Sequence, residues 1–131
     1  MQNLENTIDR IQELIDTDTE QQLKEELATY HSADIADIFQ QLSPEERLAC
    51  FSKLDEEKAA EVIEYLTPQL QVEILGDIDE ELASRLISKL PHDEAADVLG
   101  DMEDDESQAY LDNLPEKFSS ELRELLTYND D

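Results

Sequence analysis

The chain has 131 residues, which suits one domain with a single core. It carries 36 Asp and Glu against 9 Lys and Arg, a formal net charge of −27, which argues against nucleic-acid binding driven by Lys and Arg displacing counterions. Good helix formers dominate, strand signals are nearly absent, and only four prolines and two glycines interrupt the apolar spacing. The expectation is an all-α fold rather than a disordered acidic chain.

Residues 1–30 read as two helices. Leu4, Ile8, Ile11 and Ile15 fall at helical spacing, with Leu14 beside them. Asp16-Thr17-Asp18-Thr19 breaks that pattern and supplies an N-cap for a second helix, from Glu20 to about Tyr30. The pair matches the later segments only loosely, as the terminal cap of a solenoid would.

From His31 a twelve-residue register holds through residues 31–126 without insertion or deletion. Its blocks are HSADIADIFQQL, SPEERLACFSKL, DEEKAAEVIEYL, TPQLQVEILGDI, DEELASRLISKL, PHDEAADVLGDM, EDDESQAYLDNL and PEKFSSELRELL. Each ends on an apolar residue, and positions eight and nine are nearly always apolar, as in Val62-Ile63, Leu86-Ile87 and Val98-Leu99. Ser43, Asp55, Thr67 and Asp79 open their blocks as N-caps, and Pro44 and Pro68 follow at the first helical position. Acids crowd the first turns, where the positive end of the helix dipole favours them. Each block is thus a helix of about nine or ten residues plus a tight turn, too short to be stable without neighbours. ILGDI at 74–78 recurs as VLGDM at 98–102, so two helices per unit are expected to stack into a superhelix.

Positions five, eight, nine and twelve share one helical face, and positions three and seven lie nearly opposite it, toward water. Position seven holds Asp37, Glu61, Glu73, Asp97 and Glu121, and Asp93, Asp97 and Asp101 follow one another at four-residue steps. With 36 acids in 131 residues, composition alone would supply roughly ten acidic i,i+4 pairs, each costing a few tenths of a kcal/mol. A solvated acidic face is therefore the default, and ligation of a hard cation such as Mg²⁺ is the functional alternative.

Other chemistry finds little support. His31, His92 and Cys50 form no zinc-ligand pattern, and Cys50 holds a core position. His92 adjoins Asp93 and could tune it, but reads better as a plain first-turn residue. Tyr65 and Tyr110 read as packing or groove residues. There is no GxGxxG, P-loop or GxSxG, so no enzyme is expected. No signal peptide or apolar run long enough for a membrane span is visible, so no direct membrane insertion is expected of this segment.

The blocks DEEKAAEVIEYL and PHDEAADVLGDM resemble the cytosolic N-terminal domain of MgtE-type magnesium transporters, and the resemblance runs over about 31–128. It implies a right-handed superhelix of short helices, with 1–30 as its cap and 127–131 as the start of a linker. It also implies a place on the cytoplasmic side of the cell membrane, ahead of a CBS pair and a transmembrane pore domain, in a homodimer. In that family Mg²⁺ binds between this domain and the CBS domains and favours pore closure. The matching motif positions are Glu61, in KAAEV, and Asp93 and Asp97, in DEAAD. This chain carries neither the CBS pair nor a membrane span, which implies that it is part of a longer protein. The alternative is a protein-binding helical-repeat module without metal sensing, similar to the short-helix repeats of flagellar motor switch proteins.

Overall fold

A computed structural model describes residues 4–17 and 20–129. Among these residues the secondary structure consists of ten α-helices. α1 (Leu4–Asp16) and α2 (Glu20–Ala28) precede the blocks. The blocks themselves form α3 (Ser32–Gln41), α4 (Pro44–Phe51), α5 (Glu56–Tyr65), α6 (Pro68–Asp77), α7 (Glu80–Ser88), α8 (His92–Gly100), α9 (Asp104–Asn113) and α10 (Glu116–Asn129). From α3 to α10 every helix begins twelve residues after the last, as the register predicts.

The junctions explain that constancy. Ser43 Oγ accepts from the Glu46 N–H while the Glu46 side chain accepts from the Ser43 N–H, a complete capping box. Asp55 accepts from Lys58 N, Thr67 from Leu70 N, and Asp79 from both Glu81 N and Leu82 N, so all four expected caps form. At the other end, the N–H of the twelfth residue donates to the carbonyl of the ninth in six of the eight blocks, for example Leu66 to Ile63 and Leu90 to Ile87. In α6 the ninth-position carbonyl, Leu75 O, instead takes the buried Tyr110 hydroxyl of α9 at 3.0 Å. Tyr110 is thus the packing residue expected, whereas Tyr65 is 60% exposed.

Of the eight block helices, two depart from nine or ten residues. α4 has eight, because Ser52 turns its hydroxyl back onto Ala49 O at 2.8 Å and closes the last turn. α10 has 14 and continues to Asn129. Of the cap expected ahead of α2, Asp18 and Thr19 lie outside the described residues, as do Asp130 and Asp131.

The chain divides into two compact units, up to Leu66 and from Thr67 onward. In the first, α1, α3 and α5 pack in sequence, α2 packs on α1 and α4, and α1 also meets α4. In the second, α6, α8 and α10 pack in sequence, α7 packs on α6 and α9, and α9 also meets α10. Positions five, eight, nine and twelve are all buried in α5, α7 and α8 with their following turns. Position six joins them in four blocks, as Ala36, Ala60, Ser84 and Ala96, so the core face is wider than its expected four positions. Cys50 is fully buried, and burial, with the Glu46 charge nearby, pushes its thiol up to about 12.

Candidate functional site

Helix geometry delivers the expected acidic face. Asp37, Glu61, Glu73 and Asp97, all at position seven, are exposed, as is Asp93 at position three. The apolar positions turn each helix toward its neighbours, so the opposite side is left to water. Glu121 is the half-buried member of the series, because it pairs with the imidazole of His92.

In the second unit, Asp93 lies in the first turn of α8 and Asp97 one turn further on. Asp97 lines a cleft of about 380 Å³ together with Asp101, Asp104, Ser107, Gly100 and Leu126. Asp93 is not among the lining residues. Asp101 follows α8 in the C-cap position, where its N–H donates to Asp97 O and Val98 O. Acids at i, i+4 and i+8 were visible in the sequence. That Asp104 joins them depends on how α9 folds back after the turn at Met102 and Glu103.

Glu61 belongs to the first unit, at the middle of α5. Its Oε1 accepts a hydrogen bond at 3.2 Å from the hydroxyl of Ser32, the first residue of α3. Ser32 is a residue that motif reasoning missed. The only signal for it was a small polar residue at position two of its block.

His92 does not pair with its sequence neighbour Asp93. Its Nε2 meets Glu121, and its ring lies 4.5 Å from that of Phe118, both on α10. The sequence reading of His92 as a plain first-turn residue thus gains an α8–α10 contact, since the side chain reaches the packed helix. Ser32–Glu61 and His92–Glu121 are the same register pair, position two reaching position seven two blocks on, once in each unit.

These carboxylates are oxygen-only donors, which suits a hard divalent cation. No group of three or more His, Cys, Asp or Glu among the described residues could hold a metal ion. No helix described is long and apolar enough to cross a membrane.

A crystal structure of the soluble part of a magnesium transporter shares the fold over 98% of this chain, with a TM-score of 0.83 at 18% identity. The chain spans 51% of the length of that relative. No curated protein matches the chain. The family model for the MgtE intracellular N domain matches residues 30–131, and the chain belongs to that family.

Proposed function

We propose that the chain is the cytosolic Mg²⁺-sensing domain of a magnesium transporter, with a regulatory rather than catalytic role. Glu61, Asp93 and Asp97 are its cation ligands, and the remaining ligands come from CBS domains that follow in the full-length homodimer. The observation that carries this reading is that Glu61, Asp93 and Asp97 are all exposed carboxylates, at outward register positions three and seven, in a chain that belongs to this family. Mg²⁺ takes one or two protein carboxylates and keeps several waters, so a sparse donor set fits it.

The chain's own contribution is electrostatic. At low Mg²⁺ its acidic face repels a facing acidic surface, and the domain stands away from the CBS pair. A bound divalent ion neutralises part of that repulsion, and the docked arrangement favours a closed pore. In this reading the short helices stack as a right-handed superhelix, capped by residues 1–30, and the chain from 127 leads toward the downstream domains. A pure protein-binding module calls for an exposed apolar groove. Among the described residues Tyr65 is the one large hydrophobic side chain left exposed, which favours the sensor.

Limited proteolysis of the complete natural chain tests the proposal. Millimolar Mg²⁺ should protect against cleavage relative to NaCl of matched ionic strength. Asp93→Ala with Asp97→Ala should raise the Mg²⁺ concentration for half-protection by roughly tenfold or more, since even outer-shell partners of metal sites cost about 10- to 100-fold. Absence of protection, or protection that survives the double substitution, would overturn it.

A further inference from the structure

We infer that Ser32 is a positioning residue for the Glu61 carboxylate, an inference that rests on the proposed role of Glu61 as a cation ligand. Ser32 is only 9% exposed, and a buried hydroxyl requires a hydrogen-bond partner. It finds one in Glu61 Oε1, at 3.2 Å. Ser32 begins α3 and Glu61 lies on α5, and these two helices pack closely along their length. The donor is therefore fixed by backbone, while the carboxylate it holds is on an exposed residue. Among the described residues Ser32 is the one hydrogen-bond partner of the Glu61 carboxylate.

The consequence for ligation is geometric. A glutamate side chain loses conformational freedom when a cation fixes it, and Mg²⁺ demands near-octahedral placement of its oxygens. Ser32 holds Oε1, so part of that ordering is in place before the ion arrives. The arrangement is not an accident of one side chain. The second unit repeats it with His92 on Glu121, from the same positions of the corresponding helices. There the anchor is an imidazole tilted against Phe118, and the carboxylate is half-buried. The smaller serine leaves the first unit's carboxylate open.

The experiment is the Mg²⁺ midpoint for protease protection of the complete natural chain, measured for Glu61→Gln, Ser32→Ala, Ser32→Thr and the double variant Ser32→Ala with Glu61→Gln. Glu61→Gln should raise the midpoint. Ser32→Ala should raise it by about tenfold, the lower end of what losing an outer-shell partner costs, and Ser32→Thr should restore it. Ser32→Cys, measured alongside, keeps the side-chain shape with a slightly larger atom but donates weakly, and should shift the midpoint in the same direction as alanine, which separates positioning from folding. In the double variant the serine substitution should add nothing. A wild-type midpoint in Ser32→Ala, or an equal further shift in the Glu61→Gln background, would overturn the positioning role while leaving Glu61 a ligand. A wild-type midpoint in Glu61→Gln would instead remove the reading on which it rests.

Discussion

Ser84 shows how one position in a repeat carries its own energetic signature. It occupies position six of its block, which in three other blocks is a buried alanine, and it is only 4% exposed. Its Oγ is the one buried side-chain polar atom among the described residues without a hydrogen-bond partner. An unsatisfied buried hydroxyl costs about 1–3 kcal/mol. Ser84→Ala should therefore stabilise the chain by about 1 kcal/mol, read as a higher urea midpoint with an unchanged slope. A lower midpoint would mean that the hydroxyl is satisfied in solution. Tyr110 shows the opposite case, a buried hydroxyl satisfied by the Leu75 carbonyl left over at the end of α6. Burial, aided by Glu106 and Glu80, pushes the Tyr110 phenol above its ordinary value, which keeps it the donor that this carbonyl needs.

The helices themselves depend on their junctions, since elements this short do not hold alone. Ser43→Ala should cost about 1 kcal/mol, the usual loss for removing an N-cap. Glu46 completes that box, and the Ser43 backbone N–H, assisted by the Gln12 and Ser43 side chains, holds its carboxyl below the usual value against the effect of partial burial. A carboxyl whose folded pKa lies below its unfolded one stabilises above the unfolded value, near 4.3, and loses that contribution as pH falls through the folded value. The stability gap between wild type and Glu46→Ala should thus be full at pH 7 and shrink on acidification to about pH 3. A gap that stays constant would show that the carboxylate charge plays no part in the cap. The cap residues and prolines were legible because this chemistry is local: a side chain and an N–H two or three residues away. The wider core face was not, because whether position six is buried depends on how closely the next helix approaches.

For the molecule as a whole, charge is the dominant opposing term. A net charge of −27 repels itself in the compact state, and salt screens that repulsion as the Debye length shrinks from about 30 Å at 0.01 M to about 8 Å at 0.15 M. Raising NaCl from about 0.01 M to about 0.5 M should lift the melting temperature by several degrees, measurable by circular dichroism. A flat or falling melting temperature would show that the paired contacts, such as Arg10 with Glu26 and Arg123 with Asp112, outweigh the excess acid. The same screening is why every Mg²⁺ effect has to be compared at equal ionic strength.

The twelve-residue step, the all-α class, the caps and the exposed acidic register followed from sequence alone, because helix period, capping and amphipathic spacing act over a few residues. That Glu61, Asp93 and Asp97 face outward was legible in the same way, whereas their choice as ligands came from the family resemblance and not from the spacing. Which side chains answer each other was decided only by tertiary structure. His92 turns to Glu121 rather than to adjacent Asp93, Ser32 finds Glu61 across 29 residues, and Asp104 joins Asp97 and Asp101 around one cleft. Such contacts depend on how helices one or two blocks apart pack, a relation that no local pattern of residues encodes.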